Sequence, residues 1–85
     1  MSGTLSLCAT PIGNLGDISE RVLETLRSAD LIAAEDTRNS LKLLNHFGIK
    51  TPMTSYHEYN KFEKAETLIE KLKEGQNIAL ITDAG

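Results

Sequence analysis

Four short apolar runs alternate with three longer segments whose apolar residues recur at helical spacing, and this order constrains the fold more than any other feature of the chain. Leu5-Ser6-Leu7-Cys8-Ala9-Thr10 is the first run, closed by Pro11 and Gly13 in the manner of a strand entering a loop. A helix follows in which Ile18, Val22, Leu23 and Leu26 share a face; Asp17, three residues before Glu20, resembles a capping box, and the helix should end near Ala29. Leu31-Ile32-Ala33-Ala34 is too short for a helix and reads as the second strand. Asp36 or Thr37 can cap the second helix, with Leu41, Leu44 and Phe47 facing inward, His46 in the last turn and Gly48 as its stop. Met53-Thr54-Ser55-Tyr56 is the third, weaker strand. Asn60 with Glu63 caps a third helix carrying a stripe of Phe62, Ala65, Leu68, Ile69 and Leu72, and Gly75 ends it. Asn77-Ile78-Ala79-Leu80-Ile81-Thr82 is the fourth strand, and Asp83-Ala84-Gly85 opens a turn that the chain does not complete.

A β-α-β-α-β-α-β order predicts an α/β fold: a mostly parallel four-stranded sheet with flanking helices and right-handed crossovers. With 85 residues, 40% of them hydrophobic, the chain holds one small domain. The unfinished turn after the fourth strand gives the expectation of a truncated chain. In parallel sheets the ligand crevice lies beyond the carboxyl ends of the strands. The segments that matter are therefore residues 10–17, 35–38, 57–60 and 83–85.

Charge and composition narrow the function. Nine Lys and Arg against 12 Asp and Glu leave a net charge of −3, so no broad basic face is expected, and any grip on nucleic acid must be local or lie elsewhere. The single cysteine, Cys8, has no disulfide partner within the chain and suits a reducing, cytoplasmic setting. It lies in a strand with no histidine near it in sequence, as a small core residue does. No apolar stretch approaches a membrane span, and the first ten residues have neither a basic start nor a long apolar core, so a soluble protein is expected. Two histidines and one cysteine at wide spacing make no zinc motif, and no metal is expected.

The loop Thr10-Pro11-Ile12-Gly13-Asn14-Leu15-Gly16-Asp17 has glycines spaced G-x-x-G, matching neither a P-loop nor a dinucleotide fingerprint. Asp17 stands where a phosphate would need a free helix amino terminus, which disfavours a phosphate ligand. The loop reads as a tight structural turn or as a binding loop. Glu35-Asp36-Thr37-Arg38 sits roughly 20 residues beyond Gly16, where dinucleotide folds place a ribose-binding acid. The missing glycine pattern weakens a nicotinamide-cofactor reading and favours Asp36 or Thr37 as a cap, Arg38 as an ion-pair or substrate partner, and Glu35 as the freer carboxylate. In Ser55-Tyr56-His57-Glu58-Tyr59-Asn60, rings, an imidazole and a carboxylate share one loop, a mixture able to hold a base or ribose, and His57 titrates in the range of a general base. A solvated polar loop has the same composition.

In order along the chain, Ala9-Thr10-Pro11-Ile12-Gly13-Asn14-Leu15-Gly16-Asp17-Ile18, Asp30-Leu31-Ile32-Ala33-Ala34-Glu35-Asp36-Thr37-Arg38, Leu43-Leu44-Asn45-His46-Phe47-Gly48-Ile49, Ser55-Tyr56-His57-Glu58 and Thr82-Asp83-Ala84-Gly85 resemble the successive signatures of one family. It is the small-subunit ribosomal RNA (cytidine-2′-O)-methyltransferase family, within the tetrapyrrole (corrin/porphyrin) methylase superfamily. The resemblance implies that residues 1–85 are the amino-terminal α/β domain of a two-domain enzyme whose second domain is absent. It implies a cytoplasmic enzyme, commonly a homodimer, that binds S-adenosylmethionine (SAM) between its domains and methylates a ribose 2′-hydroxyl of the small ribosomal subunit. On that basis Pro11, Asp83, Ala84 and Gly85 would bind SAM, Asn14, Asp36, Thr37 and Arg38 would contact substrate, and His57 and Glu35 are the candidate catalytic groups. SAM carries a sulfonium cation and no phosphate, so carbonyls, small residues and carboxylates suit it better than a basic loop. Without the second half, weak SAM binding, no activity and self-association through an exposed sheet edge are expected. A tetrapyrrole-type methylase with another substrate and a non-catalytic α/β interaction module remain as alternatives.

Overall fold

The computed structural model describes residues 3–11, 18–56 and 60–84, with residues 10, 11, 83 and 84 described through their backbone alone. Its elements alternate as the periodicity requires: β1 (Leu5–Pro11), α1 (Glu20–Ser28), β2 (Leu31–Ala34), α2 (Thr37–His46), β3 (Met53–Ser55), α3 (Lys61–Lys73) and β4 (Ile78–Ala84). All strand pairs are parallel, in the order β1-β4-β2-β3. The last strand is thus inserted between the first two.

That order dictates where the helices lie. Right-handed crossovers from β1 to β2 and from β2 to β3 advance in one direction across the sheet, whereas the crossover from β3 to β4 runs back. The first two helices therefore share a face and α3 takes the other. The two cores agree: Leu23, Leu26, Leu43 and Leu44 pack with Cys8, Ile32, Ala34, Ala79 and Ile81. On the opposite face Leu68, with the partly buried Leu72, meets Ala33, Ile78 and Leu80. Alternate residues of β2 and β4 thus feed opposite cores, and for that reason both strands are almost wholly apolar. Over β1 the second face is open, leaving Leu5 and Leu7 47% and 72% exposed on the sheet's edge strand.

The amino-terminal ends of three strands are tied together at Asn77. Its amide N–H donates to Asp30 Oδ2 at 2.8 Å and its carbonyl accepts from the Asp30 N–H at 2.8 Å. Its side-chain oxygen accepts from the Thr4 N–H at 3.0 Å. Just before β1, Gly3 donates to the Leu72 carbonyl at 2.6 Å and lies so close to the Gln76 backbone that a Cβ would collide with the Gln76 carbonyl.

Several local expectations change. Ser19, not Asp17, caps α1: its Oγ accepts from the Val22 N–H at 3.2 Å, while Asp17 lies outside the described residues. In α2, Leu44 is buried and Phe47 packs against the first core as expected, but Leu41 is half exposed, because the inward face is turned toward Ser40 and Leu43. In α3, Leu68 is buried but Phe62 is 88% exposed and Ile69 half exposed. The helix rests on its Lys64 and Leu68 side, with Lys64 Nζ donating to Thr54 Oγ1 of β3 at 2.9 Å. Asn60 occupies the N-cap position of α3 without a side-chain capping bond; its Nδ2 donates instead to Ser55 Oγ at 3.0 Å. Asp83 and Ala84 extend β4 rather than opening a turn, because β1 runs on through Pro11 to pair with them. The helix stops are as expected, with Gly48 and Gly75 at φ of 67° and 92°.

Candidate functional site

The carboxyl end of the sheet is stepped. The β1–β4 ladder continues through Thr10↔Asp83 and Pro11↔Ala84, whereas the β2–β4 ladder stops at Ala34↔Ile81 and β3 stops level with it at Ser55. Three residues of β4 therefore rise beyond the end of β2, about 10 Å at the usual strand rise. They form a wall beside the residues that leave β2. The outer strands of the β1-β4-β2 trio are two strand spacings apart, again about 10 Å, so the carboxyl ends of all three lie within the span of one small molecule.

A second feature falls between β2 and β3. From β2 the chain turns to the first face as α2, and from β3 it turns to the other face as α3. Adjacent parallel strands whose exits diverge leave a crevice between them, the usual ligand position in open α/β sheets. Residues 35–38, Tyr56 and Asn60 border it.

Within this frame the carboxylates of residues 35 and 36 have separate roles. Asp36 is committed to α2: Oδ1 accepts from the Arg38 and Asn39 N–H groups at 3.1 and 3.3 Å, and Oδ2 from Asn39 Nδ2 at 2.9 Å. A carboxylate there also favours the positive end of the helix dipole. Glu35 is exposed and follows the fully buried Ala34, the last residue of β2, beside which β4 runs on. Thr37 is half-buried and Arg38 exposed in the first turn of the helix. Tyr56 continues past β3 with its N–H on the Ala34 carbonyl at 2.8 Å and its side chain against the second core.

Of the residues expected to form a site, Pro11, Asp83 and Ala84 are brought together by direct pairing of their strands, and Glu35, Asp36, Thr37 and Arg38 lie at the end of the next strand. Asn14, His57 and Gly85 lie outside the described residues. Cys8 is buried in the first core, where desolvation pushes its thiol pKa up, contrary to what a nucleophile needs. His46 stacks edge-on against Phe47 at 4.8 Å. Among the described residues no group of three His, Cys, Asp or Glu could hold a metal, and no helix is long and apolar enough to cross a membrane. An open pocket of about 200 Å³ lined by Thr4, Ser6, Thr25, Ser28 and Asn77 lies at the opposite, amino-terminal end of the strands, away from these groups.

Sequence reasoning passed over the outer face of α2. Opposite Ser40, Leu43 and Leu44 lie Arg38, Lys42 and Asn45, an exposed surface without a carboxylate. The signal that marks it is the absence of Asp and Glu from residues 37–50.

Comparison with known proteins bears on the whole chain. The family model for Tetrapyrrole (Corrin/Porphyrin) Methylases matches residues 4–85. A protein of Haemophilus influenzae is 60% identical over 85 residues, covering all of this chain and 30% of the relative. Relatives from Synechocystis and Escherichia coli O157:H7 are 59% and 58% identical over 83 residues, covering 98% of this chain and 30% and 29% of theirs. All three are named "Ribosomal RNA small subunit methyltransferase I". The chain thus spans about 30% of the length of the curated relatives it matches. With a parallel α/β sheet whose carboxyl ends gather into one step, and a family match over all but its first three residues, the chain belongs to the tetrapyrrole (corrin/porphyrin) methylases.

Proposed function

We propose that this chain is the part of a SAM-dependent methyltransferase that forms one wall of the methyl-donor cleft, and that the whole protein methylates the 2′-hydroxyl of a cytidine in small-subunit ribosomal RNA. The observation that carries the reading is the step at the carboxyl end of the sheet, where Pro11 and Ala84 face each other above the end of β2. The names of the similar proteins support small-subunit ribosomal RNA as the substrate.

The residues present fit such a donor. Strand-end carbonyls, the small residues Ala84 and Gly85, and the exposed carboxylate of Glu35 offer oxygen atoms to a sulfonium and no cationic cradle for phosphate. Pro11, Asp83, Ala84 and Gly85 would hold SAM, which when bound supplies an activated methyl group. Asn14, Thr37 and Arg38 would position the RNA. Asp36 would act by fixing the first turn that presents Thr37 and Arg38. Transfer to a hydroxyl requires loss of its proton, and an imidazole nitrogen of His57 or a carboxylate oxygen of Glu35 would accept it. A cytoplasmic homodimer acting on the small ribosomal subunit, without a metal, completes the proposal.

The test is SAM-dependent methylation of small ribosomal subunits by the intact protein, with Glu35→Ala and His57→Ala beside the parent. A fall in turnover of about 10²-fold or more is expected for whichever group removes the proton. Undiminished turnover in both would remove them as catalytic groups. Transfer to a tetrapyrrole in place of the RNA would replace the substrate assignment.

A further inference from the structure

We infer that the outer face of α2, continued to Lys50, is a track for the RNA phosphate backbone leading out of the donor cleft. This rests on the proposed RNA methyltransferase reading and adds to it the surface that grips the substrate.

The chain as a whole is acidic, yet residues 37–50 contain Arg38, Lys42 and Lys50, together with His46, and none of the chain's 12 Asp and Glu. All four side chains are exposed. Arg38, Lys42 and His46 follow one another at four-residue intervals, so they climb the helix in steps of about 6 Å and drift only slowly around it. The run of about 12 Å matches the axial length of roughly four nucleotides of one strand. No carboxylate among the described residues pairs with Arg38, Lys42 or Lys50, which leaves these cations available to phosphate. Between Lys42 and His46, Asn45 adds an exposed amide donor.

Position gives the stripe its direction. Arg38 lies three residues after Glu35, at the crevice between the diverging exits of β2 and β3, while Lys50 lies beyond the far end of the helix, just before β3. A nucleotide held at the crevice would therefore have its neighbouring phosphates beside cations, with the acidic pair Glu35 and Asp36 kept at the reacting end. Segregation of this kind lets a chain of net charge −3 bind a polyanion locally.

The experiment compares the intact protein with its Lys42→Glu/Lys50→Glu variant in binding small ribosomal subunits and deproteinised small-subunit RNA across a salt series, and in SAM binding. Both lysines are exposed and lie outside the donor site, so SAM affinity and the thermal midpoint should be unchanged. RNA affinity is expected to fall about tenfold near 0.1 M salt, and the slope of log affinity against log salt to flatten by about 1 to 2. Equal affinity and slope in parent and variant overturn the inference. A loss confined to intact subunits, with naked RNA bound as before, also overturns it by making a ribosomal protein the partner. If the parent itself transfers no methyl to the subunit, the underlying reading fails; if it does and only the salt response is unmoved, the track alone is wrong.

Discussion

Pro11 lies opposite Ala84 at the tip of the β1–β4 ladder, three residues past the point where Ala34, the last residue of β2, pairs with Ile81. This offset turns a flat sheet end into a step. It follows from the insertion of β4 between β1 and β2, which gives the central strand a long partner on one side and a short one on the other.

Asp36 and Glu35 should separate in their effects although they are neighbours. Asp36 Oδ1 and Oδ2 are both bonded within the first turn of α2, so Asp36→Ala is expected to destabilise the fold by about 0.5–2 kcal/mol in urea denaturation, as loss of an N-cap does. Glu35 is exposed and Glu35→Ala should leave the unfolding midpoint within about 0.5 kcal/mol. Reversed results would mean that the helix is held by the other carboxylate.

Leu26 has no exposed surface and joins α1 to the sheet's first core; behind it, Thr51 Oγ1 donates to the Leu26 carbonyl at 2.8 Å. Leu26→Ala is expected to cost about 2–5 kcal/mol, a large part of what so small a domain has. Leu7→Ala, on the open face of β1, should cost well under 1 kcal/mol. Chemical denaturation of the two variants checks the contrast.

Cys8 should be unreactive until the chain unfolds. Burial pushes its thiol pKa above the usual 9.0, so the folded protein should be alkylated far more slowly than the denatured one at pH 8. The sign of the linked stability follows: in neutral solution both folded and unfolded thiols keep their proton and the contribution is fully present. It is lost as pH rises past 9.0 toward the folded value, because the unfolded thiol ionises first. Cys8→Ala should flatten that alkaline decline in a pH series of unfolding midpoints.

Residues 1–85 alone should bind SAM weakly and transfer no methyl, since one wall of the proposed cleft is present in a chain spanning about 30% of its relatives. Isothermal calorimetry on these residues beside a polypeptide of the relatives' length checks this. Tight SAM binding by both would place the whole donor site within this segment.

The elements were legible because each carries its own period: Leu31-Ile32-Ala33-Ala34 is too short and too apolar to be anything but a buried strand, and the glycines at 48 and 75 mark their helix ends. Their order across the sheet was not, since nothing local in Ile78-Ala79-Leu80-Ile81 says which strands it will separate. Asp83 and Ala84 read as a turn for the same reason; only pairing with Thr10 and Pro11 keeps them extended. Phe62 looked like core because its stripe was continuous, but α3 meets the sheet along its Lys64 and Leu68 side alone. In the candidate site the Glu35-to-Arg38 segment could be found by its place after a strand, whereas the different duties of Glu35 and Asp36 required the hydrogen bonds.

Amide hydrogen exchange of the intact protein with and without SAM tests the central claim most directly. Slowed exchange is expected at residues 12–17, 35–38 and 82–85, with no change around Thr4, Ser6, Thr25 and Asn77 at the other end of the strands. Protection confined to that amino-terminal end, or falling on none of the three strand exits, would contradict a donor cleft built on the step between Ala34 and Ala84.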